Sequence, residues 1–132
     1  MLKIPRKIVN AIIEQGKREA PLEACGYLAG EDGVISKHYE MTNVDASEEH
    51  FSLDPKEQFA AVKGSRSEGL DILAVYHSHP ASPARPSNED IKLAYDPNIV
   101  YVIVSLQEEN NAVRAFNIKK GIAKEMTVNV KG

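Results

Sequence analysis

The stretch DILAVYHSHPASPARPSNED, residues 71–90, decides the fold. Its first six residues are almost continuously apolar, which is typical of an interior strand that is buried on both faces. A loop rich in proline and serine follows, and Ser87 then begins a short helix with Asp90 three residues further on, the spacing of a capping pair. The sequence therefore places His77 and His79 between the end of an interior strand and the start of a helix.

Hydrophobic periodicity and turn residues predict the elements on either side of this stretch. Pro5 suits the first position of an amphipathic helix, and Asp54 followed by Pro55 suits the start of another. The predicted order is α-β-β-α-β-α-β-β-β, an α/β fold in which helices flank a mixed β-sheet within one domain of residues 1–132. The predicted elements are a helix at 5–18, hairpin strands at 24–29 and 34–41, a helix from 53 toward 69, the strand at 71–76, the helix at 87–94, and strands at 99–106, 112–118 and 122–130 with turns at 108–111 and 119–121.

Length and composition indicate a soluble, folded protein. The chain has 132 residues, 42% of them apolar, enough to bury a core without disulfides. Its 16 basic and 19 acidic residues give a net charge of -3 without a long block of like charge, so no nucleic-acid footprint is present. No apolar stretch approaches the ~20 residues that a membrane-spanning helix needs, and we find no signal peptide. The single cysteine, Cys25, fits a reducing compartment, and we expect the cytoplasm.

His77 and His79 carry the first sign of chemistry. Residues two apart on a strand point to the same face, so the two imidazoles converge. Neutral imidazole is a common zinc ligand, and a catalytic zinc site typically has three protein ligands and leaves the fourth position to water. Asp90 is the best third candidate, because the loop after His79 is long enough to return a carboxylate from the next helix.

Each part of this pattern also has a purely structural interpretation. Two histidines at a strand end are often only exposed or hydrogen-bonded, and Ser87 with Asp90 suffices as a capping pair. The two roles compete for Asp90, since a carboxylate oxygen on a metal cannot also serve fully as the return partner of the cap. We therefore expect metal loading to alter the start of the helix.

The sequence HSHP at 77–80, with Ser87 and Asp90 at fixed spacing after it, resembles the zinc motif of the JAMM (MPN+, Mov34/PAD-1, JAB) metallopeptidase family. Upstream, PLEACG at 21–26 looks like the segment that carries the family's essential glutamate, here Glu23. The resemblance covers nearly the whole chain and points to the compact prokaryotic branch. It implies the MPN/JAB1 fold, a layered sandwich related to that of cytidine deaminases.

The resemblance also implies a role for each residue of the motif. One zinc ion per chain would be held by His77, His79 and Asp90. Glu23 would act as the general acid/base that takes a proton from the zinc's water and gives it to the leaving amine. Ser87 would hydrogen-bond the oxyanion in the transition state, a role worth roughly 3 kcal/mol. Fe(II) or Co(II) would fit the same ligands.

The activity implied by the resemblance is hydrolysis of an amide or isopeptide bond at the C-terminal tail of a ubiquitin-like or sulfur-carrier protein. Such a tail would lie extended and pair by strand addition with a sheet edge near the zinc. The chain has no spare length for the insertions that grip ubiquitin chains in eukaryotic relatives. A homodimer is compatible with this activity.

Other functions stay open at this point. The first is a non-catalytic, MPN-type protein-binding scaffold, although such relatives lack intact ligands, and another is a metallohydrolase that acts on small peptides. PHP phosphoesterases also use a His-x-His pair, but they draw their ligands from a much longer barrel. The paired-cysteine motif of zinc nucleoside deaminases cannot be built from one cysteine. Cys25 is expected to be a small buried residue rather than a fourth ligand, and no function is assigned to His38 or His50.

Overall fold

A computed structural model describes residues 1–107 and 113–132. Within these residues the chain forms three helices and eight strands that belong to one mixed sheet. The predicted turn at 108–111 and the predicted strand start at Ala112 lie outside the described residues. In chain order the elements are β1 (Leu2–Pro5), α1 (Arg6–Glu19), β2 (Cys25–Glu31), β3 (Val34–Met41), α2 (Pro55–Ser67), β4 (Asp71–His79), α3 (Asn88–Lys92), β5 (Val100–Ser105), β6 (Val113–Lys119), β7 (Ile122–Met126) and β8 (Val128–Lys131).

The sheet has the strand order β7-β6-β5-β4-β2-β3-β1-β8. The strand β4 lies inside it, antiparallel to β2 and parallel to β5. Residues 74–79 of β4 are all buried, which confirms the interior strand predicted from the apolar run at 71–76. The mixed sheet flanked by helices is confirmed as well.

Alternate residues of β4 face two different layers. Ala74 and Tyr76 belong to the main core, which α1 covers with Ile8, Val9 and Ile12. The tyrosine hydroxyl of Tyr76 donates a 2.6 Å hydrogen bond to the side-chain oxygen of Gln15 in α1. In the regular part of β4, Val75, His77 and His79 therefore face the opposite side, away from α1.

The layer opposite α1 contains the other two helices. The α2 helix begins where the sequence predicts, because the Asp54 side chain accepts a hydrogen bond from the Lys56 amide and Pro55 occupies the first turn. Its Ala61 packs against Cys25 and Met41 of the sheet. Ile91 of α3 packs against a separate cluster around Ile103 and Phe116. The histidines of β4 thus point into the space between α2 and α3.

The ends of the chain depart from the predicted order. Pro5 is the last residue of a short strand and the extended N-cap of α1 rather than its first helical residue. Leu2 and Ile4 are buried, and β1 pairs in parallel with β8. The single strand predicted at 122–130 is two strands, because residues before Thr127 pair with β6 and residues after it pair with β1. The observed order is β-α-β-β-α-β-α-β-β-β-β.

Among the described helices, none has both the length and the apolar composition that crossing a membrane requires.

Candidate metal centre

The candidate metal centre includes the two histidines at the end of β4. His77 is 2% exposed and His79 is 3% exposed, so both imidazoles are removed from solvent. Their Nε2 atoms lie 3.1 Å apart, as the alternation of a strand predicts for residues i and i+2. The sequence prediction that the two imidazoles converge is confirmed.

Asp90 joins the histidines from the first turn of α3. Its Oδ2 lies 3.2 Å from the Nε2 of His77 and 3.0 Å from the Nε2 of His79. Tetrahedral ligands at 2.0–2.1 Å from zinc are about 3.3 Å apart, close to these separations. Within residues 1–107 and 113–132, these three form the one group of metal-ligating side chains that is close enough to hold an ion.

The chemistry of the three facing atoms requires a cation. The Nδ1 of His79 lies 2.8 Å from the carbonyl oxygen of Pro83, which only accepts, so this nitrogen carries a proton. The Nε2 of a neutral His79 then presents a lone pair to a carboxylate oxygen 3.0 Å away. Two lone pairs at this distance repel unless a proton or a metal ion lies between them. The donor set therefore fits a metal ion.

Burial and hydrogen bonding act in opposite directions on the pKa values of the three groups. Burial raises the pKa of Asp90, but its hydrogen bonds with His77 and His79 outweigh burial and hold the pKa well below its usual range. Burial lowers the pKa of His79, but hydrogen bonds with Asp90 and Pro83 prevail and raise it. For His77 burial dominates and the pKa is lowered. Without a metal, the carboxylate of Asp90 thus pairs with a proton on His79, which a divalent cation would replace.

Glu23 lies beside the centre by virtue of the β2–β4 register. Cys25 pairs with His77, and the Ala24 amide donates a 2.8 Å hydrogen bond to the Ser78 hydroxyl. After the pairs Cys25–His77 and Ala24–Ser78, the next pair in this register is Glu23 opposite His79. The two side chains then lie on the same face of the sheet. Glu23 is 3% exposed, and its Oε1 has no hydrogen-bond partner among the described residues. Burial, opposed by His79, raises its pKa to about 8.

Ser87 has the capping role that the sequence predicts. Its Oγ accepts a 3.0 Å hydrogen bond from the Asp90 amide, and Asp90 Oδ2 accepts a 2.9 Å hydrogen bond from the Ser87 amide. The oxygen that faces both histidines is therefore the same oxygen that closes the cap. Because this Oγ acts as an acceptor in the cap, the cap does not use the hydroxyl proton of Ser87.

A cavity of about 440 Å³ opens beside His77 and Asp90. Its lining is mostly aromatic and aliphatic and comes from β2, the segment before α2, and the segment after α3. The residues that line it, apart from these two ligands, are Tyr27, His50, Phe51, Ser52, Leu53, Gln58, Val75, Leu93, Tyr95, Asp96, Ile99 and Tyr101.

The sequence alone does not reveal that the segment before α2 contributes to the cavity. His50, to which no function was assigned, lines the cavity, and its Nδ1 lies 2.9 Å from Asp45 Oδ2. Phe51 stacks on the His77 ring. The apolar pair Phe51 and Leu53, directly before a strong helix start, was the only available signal, and it does not reveal a contact with a strand 26 residues away.

The other two residues considered from the sequence lie outside the ligand group. Cys25 is fully buried opposite His77, and its thiol lies 3.8 Å from the carbonyl oxygen of Met41. Burial raises its pKa to about 12, so the thiolate that a metal needs is disfavoured. His38 lies on β3 with its Nε2 3.9 Å from Glu40. The expectation that Cys25 is a small buried residue is confirmed.

The fold and the site together define a class of protein: an α/β domain in which a His-x-His pair on an interior strand and an aspartate on the next helix converge, beside a buried glutamate, as a group able to hold a metal ion. The family model described as prokaryotic homologs of the JAB domain matches residues 5–119. The chain belongs to this family.

Two named relatives match most of the chain. It is 36% identical over 133 residues to the CysO-cysteine peptidase of Mycobacterium tuberculosis. The alignment covers 98% of this chain and 91% of the relative. It is 37% identical over 122 residues to the probable TtuB-protein conjugate cleaving protease of Thermus thermophilus, covering 92% of this chain and 78% of the relative.

Solved structures agree with this assignment. A solution structure of a protein from Desulfitobacterium hafniense matches with a TM-score of 0.91 and 41% identity, covering 99% of this chain and 93% of that one. A JAB1/MPN domain protein from Archaeoglobus fulgidus matches with a TM-score of 0.69 and 24% identity, covering 98% and 96%. The predicted MPN/JAB1 fold is confirmed.

Proposed function

We propose that this protein is a zinc-dependent isopeptidase that hydrolyses an amide bond at the C-terminal tail of a ubiquitin-like or sulfur-carrier protein. The names of the mycobacterial and Thermus relatives support this substrate class, since both describe cleavage of such conjugates. Family membership and high coverage of the relatives support hydrolysis rather than scaffolding. The intact ligand set also weighs against the scaffold, whose known forms lack it.

One observation carries the proposal: three metal-ligating atoms lie within 3.2 Å of one another beside a buried glutamate. His77, His79 and Asp90 would hold the zinc. When bound, zinc polarises a carbonyl group and lowers the pKa of coordinated water toward about 7. These two effects are what amide hydrolysis needs from a metal.

Glu23 moves the proton in this proposal. Its carboxyl group lies on the same face as the histidines, and Oε1 has no competing partner among the described residues. A buried carboxyl group beside the ligands is placed to accept a proton and to donate it again. Glu23 takes a proton during attack and gives it to the departing amine.

The cavity beside His77 and Asp90 is the proposed site for the tail. The two strands next to β4 already have partners on both sides. The strand β2 lies between β3 and β4, and β5 lies between β4 and β6. The eight strands therefore present no free edge beside the ligands, since their edges are β7 and β8, but an isolated bridge joins Asn43 to Leu53 next to the cavity. We propose that the extended tail lies in this largely apolar cavity, which opens at the ligands.

Ser87 is proposed to stabilise the oxyanion with the hydroxyl proton that the cap leaves free. It stands at the exposed end of the centre, where the reacting carbonyl would arrive. This role depends on a hydrogen bond made in the transition state, so we expect it to affect kcat and not the binding of the metal.

The decisive experiment uses a sulfur-carrier protein extended by one residue at its C-terminus and mass spectrometry of the product. Zinc-loaded wild type is expected to release the extra residue. Glu23→Gln is expected to retain zinc and lose cleavage, whereas His79→Ala is expected to lose both. No cleavage of several carriers by zinc-loaded wild type contradicts the substrate class, and cleavage by Glu23→Gln contradicts the mechanism.

The remaining expectations belong to the same proposal. We propose one zinc per chain, because the described residues supply one set of three ligands. We propose a single domain over residues 1–132 and, from the single cysteine, a cytoplasmic location. A homodimer is proposed only as compatible with these features. Elemental analysis and light scattering of the purified protein measure the metal content and the subunit number.

A further inference from the structure

We propose that Phe51 is a positioning residue that fixes the orientation of the metal ligand His77. The inference rests on the metal centre of the proposed function and adds to it a residue of this chain that no ligand motif contains. It follows from the surroundings of one imidazole, whose two ring nitrogens are in very different situations.

The second ring nitrogen of His77 has no hydrogen-bond partner in the part of the chain that the structure describes. Nε2 faces Asp90 and His79, while Nδ1 is buried and unpaired. A metal-ligating histidine almost always donates its other N–H to a carboxylate, a carbonyl or a water, and this bond fixes the ring. His79 obeys the rule through the carbonyl oxygen of Pro83 at 2.8 Å. Another contact has to hold the ring of His77.

Phe51 supplies this contact. Its ring centroid lies 4.6 Å from that of His77, with an angle of 26° between the planes, which is a stacked arrangement. The neighbouring ring of His79 is tilted by 59° at 4.9 Å and provides no parallel face. Rotation of the His77 imidazole out of its present plane would collide with the phenyl ring. The stack therefore holds the plane of the His77 ring, and within that plane Nε2 faces Asp90 and His79.

The backbone on both sides of Phe51 is fixed as well. The side-chain nitrogen of Asn43 donates hydrogen bonds of 3.0 Å to the carbonyl oxygens of Glu23 and His50. The side-chain oxygen of Asn43 accepts a 3.2 Å hydrogen bond from the Ser52 amide. The residues before and after Phe51 are thus tied to one buried amide, which also holds the main chain of Glu23. A ring on such a segment is a rigid support.

The test compares the zinc affinity of Phe51→Leu with that of Phe51→Tyr by competition with a chromophoric chelator. Leucine keeps apolar volume but cannot stack, so we expect its dissociation constant to rise roughly ten-fold, the lower end of the loss on removing a metal-supporting contact. Phe51→Tyr keeps the ring and is expected to bind like wild type. Tyr39→Leu is the matched control, because Tyr39 packs in the same cluster but does not line the cavity.

A second readout uses the metal-free protein. The ring current of Phe51 displaces the NMR signals of the His77 imidazole, and this displacement should vanish in Phe51→Leu while circular dichroism shows an unchanged fold. Wild-type zinc affinity in Phe51→Leu, or an equal loss in Tyr39→Leu, overturns the inference and leaves the proposed function intact. Wild type that binds no zinc overturns the proposed function instead, and unchanged His77 signals in metal-free Phe51→Leu then overturn the inference separately.

Discussion

The carboxyl group of Glu23 lies in a buried environment just before β2. It is nearly inaccessible to water, and its main chain is tied to the neighbouring segment by the amide of Asn43. Removal from water favours the neutral acid, so the pKa rises to about 8. A solvent-exposed glutamate would ionise near its usual pKa and would hold no proton at neutral pH.

In the metal-free protein, Glu23 makes the stability depend on pH. Because the pKa of Glu23 rises from 4.5 to about 8 on folding, the folded state binds this proton more tightly than the unfolded state. The resulting contribution to the free energy of unfolding is on the order of a few kcal/mol. It is complete below pH 4.5 and is lost as the pH rises to about 8. Urea unfolding of wild type and Glu23→Gln at pH 5, 6.5 and 8 should show wild type losing stability relative to the variant. Parallel curves contradict the assignment.

At the scale of elements, the short helix α3 depends on its cap. Ser87→Ala removes the cap at a cost of about 1 kcal/mol, whereas glycine at the same position costs only a few tenths. Both variants lack the hydroxyl that we assign to the oxyanion, and we expect both to lose about 100-fold in kcat. Zinc affinity should fall in Ser87→Ala alone, because only this variant loosens the turn that carries Asp90. Full activity in Ser87→Gly contradicts the oxyanion role.

The segment between β3 and α2 depends on one buried side chain. Asn43→Ala leaves the carbonyl oxygens of Glu23 and His50 without this donor, and we expect a loss of about 2 kcal/mol in the free energy of unfolding. Activity should fall further than stability explains, since the same segment lines the cavity. Asn129→Ala on the exposed edge strand β8 is the control and should change stability by less than about 0.5 kcal/mol. Equal effects of the two substitutions contradict this role for Asn43.

The sequence predicts the elements whose signals are local and misses those whose signals are distant. The apolar run of β4 and the Asp54-Pro55 start of α2 are confirmed because burial and capping act within a few residues. The strand β1 was missed because its parallel pairing with β8 joins residues more than 120 positions apart. Similarly, HSHP and Asp90 locate the residues that converge, but they do not reveal the stacking of Phe51. That contact depends on how Asn43 holds the segment around Phe51 by hydrogen bonds between residues distant in sequence.

At the scale of the whole molecule, the proposed metal would join parts that are otherwise only packed. His77 and His79 belong to the central strand, and Asp90 belongs to a helix that rests on a separate cluster. An ion that binds the folded state alone stabilises it by RT ln(1 + [L]/Kd), about 4 kcal/mol at a thousand times Kd. We expect chelation to lower Tm clearly in wild type and hardly at all in Asp90→Ala. Scanning calorimetry with and without zinc measures both, and a zinc-independent Tm in wild type contradicts the bridge.

The shared oxygen of Asp90 also bears on the lifetime of the bound ion. The helix that carries it has five residues, and the ends of so short a helix fray frequently. Each such opening withdraws the third ligand and the cap in a single event. We therefore expect the metal to dissociate faster in variants that weaken the start of this helix, because opening of the helix and loss of the third ligand are coupled. In a metal-poor environment, the protein would then become inactive long before it unfolds.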